Sequence, residues 1–194
     1  MESARINNCF TEEDYYNLPD DMHAELIDGK FYDMASPNRT HQEIVGYFIK
    51  KIGNYIDAEK GSCKIYPGPF AVKLFNDRNT IVEPDISVIC DPDKLTDKGC
   101  SGAPDWIVEV ASPTNTDHDY VRKLNLYVKA GVREYWIVDP MVREISVYYF
   151  EQSSFPTSYT FEDKVKVNIY DPLWIDRPEP HPISYSESIR RRQR

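Results

Sequence analysis

The stretch Pro104-Asp-Trp-Ile-Val-Glu-Val-Ala-Ser-Pro-Thr-Asn115 decides how the chain is read. Trp106 to Ala111 has the aromatic and β-branched composition of a buried strand. One acid stands in its middle. The pleat puts Trp106, Val108 and Val110 on one face and Ile107, Glu109 and Ala111 on the other. Glu109 therefore shares its face with apolar neighbours. An isolated ionised carboxylate there costs on the order of several kcal/mol, or its pKa rises by units. The position makes sense if the group is paired, protonated or bound to a cation. An edge strand, from which the acid reaches water, is the structural alternative.

Working outward, residues Thr116 to Ala130 read as a helix, with Asp117 near its start and Gly131 just past its end. On a helical wheel Tyr120, Val121, Leu124, Tyr127 and Val128 form its apolar arc, and Lys123 lies at the edge of that arc. REYWIVD (133–139) and REISVYYF (143–150) follow as strands joined at Asp139-Pro140. Strand, helix, strand predicts a βαβ crossover, so part of the sheet is expected to be parallel. Upstream, TIVEPDISVIC (80–90) reads as one strand, and CKIYPG (63–68) with FAVKLF (70–75) as a pair.

Nearer the N-terminus, Asn38 to about Glu59 carries a helical period through Ile44, Val45, Phe48, Ile49, Ile52, Tyr55 and Ile56, closing at Gly61. AELIDGKFYDM (24–34) reads as a hairpin turning at Asp28-Gly29, and Thr11 with Asp14 as a capping box opening a short helix. A last strand is expected within SYTFEDKVKVNIY (158–170). This order predicts a mixed α/β (α+β) fold, as one domain over about residues 8–175. The tail, 176–194, is proline-rich and then basic, and is expected to be disordered or wrapped on the surface.

Composition bounds the function. With 194 residues and 41% hydrophobic content the chain can bury a sizeable core. A formal net charge of −9 argues against broad electrostatic adhesion to nucleic acid, though a bound metal would supply positive charge locally. Cys9, Cys63, Cys90 and Cys100 form no CxxC pair, so neither a zinc site nor a disulfide framework is expected. No leader-like or membrane-spanning apolar run is present, and a soluble cytoplasmic protein is the expectation.

Other residues belong with Glu109. Asp85, in Glu83-Pro-Asp-Ile-Ser87, opens an apolar run on the preceding strand. Neighbouring strands lie about 4.8 Å apart. If the two segments pair, both carboxylates reach one divalent ion, and their hard oxygens suit Mg²⁺. Taken alone, Asp85 also fits a turn after proline. Lys123 is placed to reach toward the strand ends, or to snorkel into water. His41 falls within the apolar arc of the long helix, as a hydrogen-bonded core residue or a group facing the same pocket. Glu25 sits on the hairpin among apolar neighbours.

These residues carry a resemblance. Glu25-Leu-Ile-Asp-Gly29, His41, Glu83-Pro-Asp-Ile-Ser87, Pro104-Asp-Trp-Ile-Val-Glu-Val110, Lys123-Leu-Asn-Leu-Tyr127 and Gly131-Val-Arg-Glu-Tyr-Trp-Ile-Val-Asp-Pro140 resemble the Uma-two family of restriction-type endonucleases, within the PD-(D/E)XK nuclease superfamily. The match runs from about Leu18 to Val147. The superfamily's usual lysine, two residues after the second acid, is Ala111 here. The family is similar in letting a lysine on the following helix stand in, which falls on Lys123. The resemblance implies a restriction-endonuclease-like central mixed sheet flanked by helices. It implies Asp85, Glu109 and the Val110 carbonyl as ligands of Mg²⁺ (or Mn²⁺), with Glu25 and His41 in support. The activity expected is hydrolysis of DNA phosphodiester bonds, by a homodimer if both strands are cut. A catalytically silent nuclease-fold protein that binds nucleic acid or assembles, and a hydrolase of another phosphoester, are the competing readings.

Overall fold

The computed structural model describes residues 9–19, 21–76, 79–112, 117–176 and 178, with backbone alone for 117–119. The first described element is helix α1 (Glu12–Tyr16), capped as expected: Thr11 accepts from the Asp14 amide and Asp14 accepts from the Thr11 amide. Strands β1 (Ala24–Ile27) and β2 (Lys30–Asp33) form the hairpin, turning through Asp28 at φ 47° and Gly29 at φ 76°. Two successive positive φ values are what a tight primed turn needs.

Helix α2 (Arg39–Ala58) follows its N-cap Asn38, whose side-chain oxygen accepts from the His41 amide at 3.0 Å. Then come β3 (Lys64–Pro67), β4 (Val72–Lys73), β5 (Ile81–Val82), β6 (Ile86–Ile89), β7 (Leu95–Thr96), β8 (Gly99–Ser101) and β9 (Trp106–Val110). Helix α3 (Asp117–Ala130) leads into β10 (Glu134–Asp139), and Gly131 leaves the helix at φ 90°, a conformation open to glycine without strain. Strands β11 (Glu144–Tyr149), β12 (Thr157–Thr160), β13 (Lys164–Lys166) and β14 (Trp174–Asp176) complete the described elements.

The fold is mixed α/β. One six-stranded sheet runs β12-β11-β10-β9-β6-β3, with β9 and β10 parallel across α3. A second runs β2-β1-β5-β4-β8-β7, and β13 pairs with β14 separately. The two faces of β9 differ as the pleat requires. Trp106, Val108 and Val110 pack with Ile44, Val45, Phe48 and Ile52 of α2, whose Phe48 ring meets Trp136 edge-on at 6.1 Å. Ile107 packs on the opposite face with Leu126 and Tyr127 of α3 and with Val72 and Val82 of the second sheet. Each large side chain buried this way contributes about 1.5–3 kcal/mol against the entropy of ordering it.

Several expectations are corrected. TIVEPDISVIC is two strands in two different sheets, broken at Pro84, which has no amide to donate to a ladder. CKIYPG and FAVKLF are not partners: β3 pairs with β6, and β4 with β5 and β8, the chain changing sheets at Pro67-Gly68-Pro69. Antiparallel pairing of Lys64 with Ile89 brings Cys63 and Cys90 opposite one another, and their sulfurs are bonded. A sequence separation of 27 residues hid that disulfide. In α3, Val121 and Val128 are exposed and Leu126 and Tyr127 are buried, so the helix faces inward with its Lys123–Tyr127 side. SYTFEDKVKVNIY contributes to two strands, β12 and β13. The tail lies outside the described residues apart from Asp176 and Pro178. No helix among the described residues is long and apolar enough to cross a membrane.

Candidate active site

Strands β6 and β9 are antiparallel neighbours with Ile86 opposite Val108, and one further step of that register sets Asp85 opposite Glu109. The backbone confirms their proximity. Asp85 Oδ2 accepts the Val110 amide at 2.8 Å, closing the ladder with a side chain where Pro84 ends it. The same oxygen lies 3.1 Å from His41 Nε2, so the first turn of α2 is tied to the end of β6. His41 Nδ1 is buried with no hydrogen-bond partner among the described groups.

Glu109 is 6% exposed and is met from α3. Its Oε1 accepts from Lys123 Nζ at 3.0 Å and from Tyr127 Oη at 2.8 Å, two donors spaced one helical turn apart. Lys123 Nζ also lies 2.9 Å from Glu25 Oε1, so one ammonium joins an acid of each large sheet. Glu25 Oε1 accepts the Glu83 amide at 3.0 Å, and Tyr15 of α1 donates to the Glu83 carboxylate at 2.5 Å. Among the described residues the hydrogen bonds to Asp85, Glu109 and Glu25 all fall on one oxygen of each, Asp85 Oδ2, Glu109 Oε1 and Glu25 Oε1.

Charge is unbalanced here. Among the five residues expected at the site, three carboxylates face one lysine and one histidine, and Glu83 and Arg122 stand beside them. Burial pushes the Glu109 carboxyl up to about 7; Lys123 acts to lower it, and the charges of Asp85 and Glu25 raise it further. Burial would depress His41, yet its hydrogen bond and charge contact with Asp85, helped by Glu109, hold its pKa above the ordinary value. Lys123 is likewise raised, because Glu109 and Glu25 outweigh its burial. An excess of acids in a half-dry recess is the arrangement a divalent cation relieves.

All five side chains line one cavity of about 710 Å³, with Glu83, Tyr32, Arg122 and Tyr120 among its other walls. Asp85, Glu109, Lys123, His41 and Glu25, the residues expected at the site from the sequence, lie together. The Val110 peptide stands beside Asp85. Tyr127 and Glu83 were assigned no role. The spacing of four from Lys123 could have found Tyr127, and the Glu83-Pro-Asp85 motif already contained Glu83. Among the described residues no three His, Cys, Asp or Glu side chains form a ready-made ligand set. Mg²⁺ does not require one, being held typically by one or two carboxylates plus water and phosphate oxygens. The donor set fits it.

Comparison with known proteins gives a consistent picture. An uncharacterised protein of Synechocystis sp. is 29% identical over 126 residues, which cover 64% of this chain and 65% of that protein. A crystal structure from Anabaena variabilis, described as "a putative nuclease belonging to DUF820", superposes with a TM-score of 0.67 at 21% identity, over 81% of this chain and 89% of that one. That likeness establishes the fold. The family model described as "Putative restriction endonuclease" matches residues 12–173, and the chain accordingly belongs to the Uma2 family.

Proposed function

We propose that the protein is a metal-dependent endonuclease that hydrolyses phosphodiester bonds in DNA. The observation that carries the reading is the meeting of Asp85, Glu109, Glu25, Lys123 and His41 in one cavity, from both large sheets and two helices, in a chain of this family. Asp85 and Glu109, with the Val110 carbonyl, would hold Mg²⁺ or Mn²⁺. A divalent ion bound there supplies Lewis-acid charge for the scissile phosphate and lowers the pKa of a bound water.

The remaining work falls to the chain. Lys123 keeps its proton at Nζ and lies within 3.0 Å of Glu109, where it orients the attacking water or offsets charge developing on the phosphate. Glu25 holds that ammonium in place, and Tyr127 fixes the Glu109 carboxylate. His41 positions Asp85 from the buried side. One observation favours a catalytically silent binding protein instead: Lys123 is closed onto both glutamates.

Calorimetric titration with Mg²⁺ and Mn²⁺, then cutting assays on supercoiled and on circular single-stranded DNA, separate the readings. Wild type is expected to bind metal and cut. Asp85→Asn and Glu109→Gln are expected to lose both, by about 100-fold or more in rate, the scale of a lost transition-state interaction, while their melting temperature holds or rises. A folded wild type that neither binds metal nor cuts either DNA sinks the nuclease and leaves the silent protein.

A further inference from the structure

We propose that the cavity receives an unpaired DNA strand, with a nucleotide splayed into its depth, and discriminates against continuous duplex. This rests on the phosphodiester chemistry proposed above and names its substrate class.

Depth is the first argument. Glu25, His41 and Glu109 are 5%, 7% and 6% exposed, although all three line the cavity. The exposed residues of the same wall are His23, Gln42 and residues 33–38 and 67–69. Glu25 and Glu109 therefore lie below a rim, with the half-buried Asp85 between them and the opening. The volume of about 710 Å³ falls in the range, about 300–1,000 Å³, that encloses a small organic ligand, which is the scale of a nucleotide. A duplex carries its phosphates on the outside of a stiff rod, with a persistence length of about 150 base pairs. To bring one phosphate below a rim it must unpair or kink. An unpaired strand meets no such demand, and unstacking is least costly where pairing is already absent.

Charge points the same way. Proteins that grip duplex typically neutralise about 6–10 phosphates with Lys and Arg. Among the described residues this cavity wall has two such side chains, Arg122 and Lys123, and Glu25 and Glu109 already engage Lys123. Asp33, Glu83 and Asp85 add negative charge to the same wall, and the whole chain carries −9. From these two residues counterion release supplies little affinity for a duplex.

The wall also offers a surface for a base. The Arg122 guanidinium lies 4.2 Å from the centre of the half-buried Tyr32 ring, and Tyr120, Met34, Pro37 and Pro69 line the same space. Aromatic rings and stacked guanidinium planes are the groups on which unpaired bases rest, independent of sequence. The strand's phosphate would meet the acids through the metal while a neighbouring base lies against this wall.

Fluorescence anisotropy tests the proposal without any cutting. A labelled short oligonucleotide and the blunt duplex of the same sequence are titrated at one fixed salt concentration, with Ca²⁺ replacing Mg²⁺. The single strand is expected to bind about tenfold or more tightly than the duplex. Tyr32→Leu is expected to weaken single-strand binding by about tenfold, the scale of one lost base–aromatic stack, and to leave duplex binding unchanged. If that variant melts early, Arg122→Gln is the second test: it removes a positive charge as well, so the expected result is a fall in the ratio of single-strand to duplex affinity. Duplex bound as well as or better than single strand overturns the proposal, as does a wild type that binds neither. Because catalysis does not enter, a protein that cuts DNA yet prefers duplex loses this inference and keeps the nuclease. One that prefers single strand but never cuts does the reverse.

Discussion

At the scale of single residues, two buried acids show what separates a site from a scaffold. Glu134 is fully buried, but its carboxylate accepts from the Asn168 and Ile169 amides, the Asn168 side chain and the Trp136 indole. It is satisfied by fixed dipoles. Glu109 is compensated instead by one ammonium that it shares with Glu25. Removing that ammonium, as in Lys123→Met, leaves buried charge uncompensated and is expected to cost about 3–5 kcal/mol at pH 8. The sign with pH follows from Glu109. Its folded pKa of about 7 stands above the ordinary 4.5, so the native state binds more protons across that window. Its contribution to stability is present below the window and is lost as pH rises through it. The Lys123→Met penalty should therefore shrink at pH 5. Urea unfolding without metal, at both pH values, is the measurement, and a penalty independent of pH contradicts the assignment.

At the scale of elements, helix ends do the placing. Asn38 caps α2 three residues before its acceptor's donor, His41, so the cap that starts the helix also sets the imidazole against Asp85. Asn38→Ala is expected to cost about 1 kcal/mol in stability. It should also weaken Mg²⁺ binding modestly, because Asp85 loses its support. Denaturant melts with metal titration read both effects, and full metal affinity in the variant would detach the cap from the site. Helix α3 works differently. It exposes Val121 and Val128 so that Lys123 and Tyr127 can both face Glu109.

At the scale of the molecule, the candidate site spans the seam between the two large sheets, with Glu25 on one, Glu109 on the other and Lys123 across them. The Cys63–Cys90 disulfide closes a loop that contains β3 to β6, and therefore Glu83 and Asp85. In the loop-entropy account, closing a loop of this size stabilises by about 2–4 kcal/mol. Unfolding midpoints with and without reductant are expected to differ accordingly. Equal midpoints would show that the bridge contributes nothing to stability.

Features whose cause lies within a few residues were legible in the chain alone. The Thr11 capping box, the Asp28-Gly29 turn, the periodicity of α2 and the strand–helix–strand order around α3 are all written in adjacent side chains and their spacing. The misfit of Glu109 was legible too, because the pleat alone puts it among apolar neighbours. The rest came from packing between distant segments. Pairing of β3 with β6, the division at Pro84, the Cys63–Cys90 bond and the inward turn of α3 depend on loop closure between distant segments, which carries no local periodicity. The partners of a buried acid are chosen the same way. Nothing near Glu134 or Glu109 in the chain says that one meets peptide amides and the other a lysine shared with a second sheet, because those partners arrive only when the sheets pack.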